Sequence, residues 1–134
     1  MTRIANSRPL RQREPRMRDH DYLRWLHCGI PCVACLIEQL PPSPTSALEA
    51  AHQKLGISSR GWHEGGSGVR VSDDRCVVLC RWHHRLAPNA CDNGQRAFWD
   101  RLGVGDRVAD LCAELYAAYQ AGQSGGAVVR GFIA

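Results

Sequence analysis

Hydrophobic and polar positions divide the chain into segments of different period. From Asp21, the stretch DYLRWLHCG puts Tyr22, Leu23, Trp25 and Leu26 on a short helix, capped by Asp21 and stopped near Gly29. PCVAC follows as a tight cysteine turn, and LPPSPTS from Leu40 is too rich in proline for helix or central strand. ALEAAH alternates only weakly and has high helix propensity, whereas RCVVLC is a β-branched apolar run of strand length. Between these two lie residues 56 to 70, GISSRGWHEGGSGVR, whose five glycines and three serines mark a long loop of functional type. RWHHRLAP turns into a helix. Phe98, Trp99 and Leu102 in QRAFWDRLGV, and Val108, Leu111, Leu115 and Tyr119 in DRVADLCAELYAAY, recur at helical spacing and read as two scaffold helices. AGQSGGAVVRGFIA, at the end, reads as a flexible tail, and no internal repeat is present.

At 134 residues the chain has room for one domain with a modest core. Its seven cysteines are an odd number and no apolar leader precedes them, which points to metal binding inside a cell rather than to a secreted disulfide framework. No apolar run approaches the roughly 18 residues of a membrane span. Charge is distributed unevenly. Residues 1 to 20 carry six arginines (Arg3, Arg8, Arg11, Arg13, Arg16 and Arg18) against Glu14 and Asp19, so the whole formal excess of +4 sits there. That segment has few apolar residues and no period, the signature of a disordered arm. Such an arm is either a solvated tail or a phosphate-binding element with salt-sensitive affinity for nucleic acid, through Arg8, Arg11, Arg13, Arg16 and Arg18.

Cys32 and Cys35 form C-x2-C, and Cys80 and His83 form C-x2-H. Each pair can put two ligands on one cation across a short turn, and two such knuckles complete the tetrahedron that structural zinc prefers. The pairs are separated by 44 residues, so the metal would tie the N-terminal segment to the end of the second strand. Of the other cysteines, Cys28 is near enough to substitute as a ligand but reads as a small buried residue, and Cys76, Cys91 and Cys112 read as packing residues. A redox role for Cys32 and Cys35 would need a βαβ setting that the flanking sequence lacks. Zinc closed by four protein ligands does no chemistry, so any activity falls to other groups. The candidates are His52, Asp73 or Asp74, and His84, which diverges from His83 by about 100° at the start of a helix. His20 and His27 have no evident partner.

The order C-x2-C, EAAH, glycine-rich loop, SDDRCVVLCRWHH, and a helix containing RAFW resembles the HNH endonucleases, and within them the phage and prophage group of recombination enhancement function (Ref) nucleases. The resemblance spans roughly residues 22 to 118 and implies an α+β fold: a small zinc-stapled ββα-metal core (HNH, His-Me finger) with flanking helices, ALEAAH forming its first strand. With the arm and tail read from the residues themselves, the chain divides into an arm at 1–20, the nuclease domain that the resemblance implies at 21–121, and a tail at 122–134. His52 then matches the general base that deprotonates the attacking water, and His84 matches a ligand of a catalytic Mg2+ or Mn2+. Asp73, with Asp74 as the fallback, would hold or orient the same cation, and all three groups would face one groove.

Two positions depart from the family pattern. Ala51 stands where many members have a metal ligand before the base, and Pro88 stands where a histidine often follows one turn after His84; His63, in the loop, is a possible replacement. The implied function is a divalent-metal-dependent DNA endonuclease or nickase, cytoplasmic in a bacterial host and encoded by phage or prophage. Its partners would be DNA and a recombinase filament or phage protein, with no membrane. The alternative is a zinc-stapled DNA-binding or partner-binding module with an eroded centre.

Overall fold

The computed structural model describes residues 16–41, 47–63 and 71–134. Residues 1–15, including Arg3, Arg8, Arg11 and Arg13 of the arm, therefore lie outside the described residues, as do 42–46 and the second part of the glycine-rich stretch, 64–70. Helix α1 runs His20–Leu26, and its cap is Asp19 rather than the expected Asp21, because the Asp19 side chain accepts from the Tyr22 backbone N–H. Gly29, with φ 78°, takes the left-handed conformation that turns the chain toward Pro31. Helix α2, Val33–Ile37, is one turn long and begins inside the cysteine turn, where Cys32 Sγ accepts from the Cys35 N–H.

Strands β1, Leu48–His52, and β2, Cys76–Cys80, pair antiparallel in a two-stranded sheet, with Leu48 opposite Cys80 and His52 opposite Cys76. β1 overrides the helix propensity of its sequence because each of its residues finds a partner in the register of β2. β2 is buried along its whole length. Helices α2 and α4 pack against it, which explains its continuous apolar run. Between the strands, residues 57–62 fold back on themselves: Ile57 and Trp62 pair across a 3-10 turn at Ser58–Arg60, and Ile57 is buried.

After β2 the chain makes one π-helical turn, Trp82–Leu86, in which the Ala87 N–H reaches the Trp82 carbonyl at 2.9 Å. Ala87 is already extended, as the residue before a proline prefers to be, so Pro88 ends the helix there. α3, Gln95–Arg101, and α4, Val108–Gln120, occupy the positions their apolar spacing predicts. Tyr22 of α1 packs on Tyr116 of α4 in an edge-to-face contact with ring centroids 4.8 Å apart, and Tyr119 and Trp25 complete the cluster. Among the described residues no helix is long and apolar enough to cross a membrane.

The C-terminal segment differs from the tail expected at 122–134. It forms α5, Gly125–Ile133, capped by the Ser124 side chain and packed against α4 and α2, with Val129 fully buried. Its glycines permit close approach: a Cβ on Gly125 would lie 2.4 Å from Ile30 Cδ1 and 2.8 Å from Trp25 Cη2. Truncation after Gln123 removes this packing. The loss of the buried valine alone is worth about 2 kcal/mol, so thermal unfolding of the truncated protein should fall by at least about 5 °C, where a free tail would leave it unchanged.

Candidate functional site

The cysteine knuckles meet. Cys35 Sγ lies 3.8 Å from Cys80 Sγ, and His83 Nδ1 lies 3.7, 3.5 and 3.2 Å from the sulfurs of Cys32, Cys35 and Cys80. All four donor atoms fall within 4.8 Å of one another. Tetrahedral zinc, with Zn–S near 2.3 Å and Zn–N near 2.05 Å, needs sulfurs about 3.8 Å apart and sulfur–nitrogen separations of about 3.5 Å. The donor set and its edges therefore fit zinc, and the cluster is the one group of three or more such ligands among the described residues. His83 takes the fourth position and His84 does not. Cys28 is exposed and turns its thiol to the Arg24 carbonyl, while Cys76, Cys91 and Cys112 are buried away from the cluster.

The π turn supplies the geometry, carrying His83 back over β2 within three residues of Cys80. Burial pushes the thiols of Cys32 and Cys35 up, so zinc uptake must displace their protons. Sequence reasoning missed the outer partner. His83 Nε2 is 2.7 Å from Glu38 Oε1, and the other Glu38 oxygen accepts from Arg101 at 3.2 Å. A carboxylate on the far nitrogen fixes the tautomer that leaves Nδ1 free to bind metal. Glu38 lies three residues past Cys35, just beyond α2; only the tertiary fold brings it to His83.

His52 ends β1 with its side chain 31% exposed, and its Nε2 lies 2.9 Å from Asp73 Oδ1. Asp73 is buried, and its second oxygen accepts from the Asp19 backbone N–H at 2.8 Å. Burial raises the Asp73 carboxyl, but hydrogen bonds from His52 and Asp19 and the nearby charges of His52 and Arg16 outweigh it and hold it below the ordinary carboxylate range. The backbone on either side of the histidine is fixed as well. Gln95, at the start of α3, donates to the His52 carbonyl at 3.0 Å and accepts from the N–H groups of Lys54 and Leu55. Gln53, fully buried, accepts from Trp99 Nε1 at 2.6 Å and donates to the Ala51 carbonyl.

His84 is elsewhere. Its Nδ1 lies 2.8 Å from Glu49 Oε1 and its Nε2 3.3 Å from Asp92 Oδ2. Glu49 also receives Arg81 and Arg85; burial raises its carboxyl, yet these bonds and that from His84 bring it down to about 2. Glu49 and His52 are three positions apart on β1, and side chains alternate along a strand, so they project from opposite faces. The structure thus joins His52 to Asp73 but does not bring His84 into the same groove. The expected catalytic-cation ligands do not converge: Asp73 spends both oxygens on His52 and Asp19, both nitrogens of His84 face carboxylates on separate sides, and Asp74 joins neither. These residues do not fit a shared Mg2+ or Mn2+ beside His52. His63 is exposed and belongs to no cluster of metal ligands among the described residues.

The described end of the arginine arm is bonded to residues 71–73, the segment that carries Asp73. Arg16 Nη1 reaches the Val71 carbonyl, the Met17 N–H donates to Ser72 Oγ, and the Asp73 N–H donates to the Met17 carbonyl. Arg16 is therefore partly engaged in the fold, whereas Arg18 is exposed. No protein-family model, curated protein or solved structure matches the chain.

Two substitutions separate the inner and outer parts of the metal centre. Cys80→Ser should abolish tight zinc binding and cooperative folding, read by circular dichroism and metal content. Glu38→Gln should leave the protein folded and weaken zinc affinity by roughly 10- to 100-fold in competition with a chelator.

Proposed function

We propose that the protein is a DNA endonuclease or nickase of the HNH type, hydrolysing phosphodiester bonds with His52 as general base. The single observation that carries this reading is the His52–Asp73 pair, a half-exposed imidazole 2.9 Å from a buried carboxylate, set at the end of β1. Around it, the antiparallel strands, the turn after β2 and the Cys3His cluster follow the chain order that the HNH resemblance implies. An imidazole suits the removal of a proton from water near neutral pH, and a positioned base contributes about 10²- to 10⁴-fold to rate. Zinc held by Cys32, Cys35, Cys80 and His83 is structural in this proposal. Its ligand set leaves no open position, and its role is to clamp α2 to the end of β2.

DNA is the proposed substrate because the positive excess of the chain lies at its N-terminal end, on a segment rooted beside His52. Arg8, Arg11 and Arg13 would add phosphate contacts, with a steep loss of affinity as salt rises. Phage or prophage origin, a cytoplasmic setting and a recombinase filament as partner belong to the same reading.

A second reading, a zinc-stapled DNA-binding or partner-binding module, is favoured by one specific observation: His84 pairs with Glu49 and Asp92 instead of sharing a cation with His52. Supercoiled plasmid separates the two. With Mg2+ or Mn2+ present, the folded, zinc-loaded protein should convert it to open-circular or linear form, and His52→Ala should lower that rate by at least about 100-fold. A folded wild type that binds the plasmid but leaves it intact under every divalent metal selects the binding module.

A further inference from the structure

Asp73 was expected to serve a cation, yet its surroundings give it a different task. Both of its oxygens are acceptors in use: Oδ1 faces His52 Nε2 at 2.9 Å and Oδ2 takes the Asp19 N–H at 2.8 Å. Its own backbone N–H is bonded to the Met17 carbonyl at 3.0 Å, and Ser72 beside it holds the Met17 N–H at 2.9 Å. Asp19 is held in turn, since its Oδ1 caps α1 through the Tyr22 N–H and its Oδ2 accepts from the Tyr116 hydroxyl at 3.0 Å. The short strap Met17–Asp19 thus locks Asp73 from the side opposite the histidine. Nδ1, the other ring nitrogen of His52, has no hydrogen-bond partner among the described residues.

We infer that Asp73 is a positioning residue: held by the Met17–Asp19 strap, it fixes the His52 tautomer that carries its proton on Nε2, so that the lone pair lies on Nδ1, the nitrogen turned away from Asp73. The assignment rests on the reading of His52 as a base. A neutral imidazole carries one N–H, and an ionised carboxylate can only accept, so the nitrogen facing Asp73 must be the donor. When Nδ1 takes a proton from water, the ring becomes a cation with N–H on both nitrogens. Asp73 keeps its charge and stabilises that cation without itself taking a proton. The strap connects this to the arm, because residues 1–15 continue directly from the segment that holds Asp73.

Asp73→Asn tests the inference with little change of shape. The amide has one acceptor where the carboxylate has two. If its oxygen keeps the Asp19 N–H, its NH2 faces Nε2 and the ring proton moves to Nδ1, which removes the lone pair there. The readout is the two-bond ¹⁵N–¹H correlation spectrum of the full-length, zinc-loaded protein labelled at histidine, recorded at alkaline pH. Wild-type His52 should show the Nε2–H tautomer, and Asp73→Asn should shift it toward Nδ1–H. In the plasmid assay the same variant should lose about 10²- to 10⁴-fold in kcat at unchanged KM. An Nδ1–H tautomer in the wild type overturns the inference, and this measurement decides even if the variant does not fold. A folded variant that keeps the Nε2–H tautomer overturns it too. A wild type with the Nε2–H tautomer that nicks no DNA supports the positioning and removes only the nuclease reading.

Discussion

Everything in this fold depends on bringing Cys32 and Cys35 to the end of β2. A two-stranded sheet is marginal alone, because neither strand has a second neighbour and one pair of strands buries little surface. Here the cysteine knuckle of α2 is joined to Cys80 and His83 across the end of the sheet, with donor atoms at the separations of a tetrahedral site. Metal held there would offset the entropy of closing the long chain between the knuckles, a contribution that a small core cannot easily supply from apolar area. Helices α4 and α5 pack around this junction, with Leu111, Leu115 and Val129 fully buried.

The same clamp accounts for the unusual turn after β2. Cys80 is the last residue of the strand and His83 must face back to it, while Pro88 forbids the helix from continuing. One wide turn satisfies both. It also sends His84 to the other side, toward Glu49, where two arginines and a histidine share a single carboxylate. Adjacent histidines therefore serve separate ends: His83 belongs to the metal cluster and His84 to a network of charged hydrogen bonds. The carboxylate partners differ in the same sense. Glu38 steadies a ligand, Glu49 collects positive charge, and Asp73 faces His52.

His52 stands apart from both. Its backbone is held through Gln95 and its side chain through Asp73, which is itself secured by the segment before α1. The described end of the arm, Arg16–Asp19, and the imidazole thus share Asp73 and its neighbours, and this junction is the physical basis of the proposed nuclease reading. A basic segment anywhere else would raise affinity for nucleic acid without directing it to a particular group.

Local pattern alone was enough for the strand of β-branched residues, for α3 and α4 with their periodic apolar positions, and for the two knuckles whose spacing places ligands across a turn. Those features are legible because they depend on neighbours within a few residues. α5 was not, since its glycines and weak period resemble a tail until Ile30 and Trp25 are seen to occupy the space that larger side chains would fill. Nor was the division between His52 and His84. A strand alternates its faces residue by residue, and the side to which a following turn directs its histidine depends on where the Cys3His cluster and Pro88 make the chain go. Glu38 and Asp73 illustrate the same limit from the side of electrostatics: sequence marks them as carboxylates, and only the packed chain decides which imidazole each one faces.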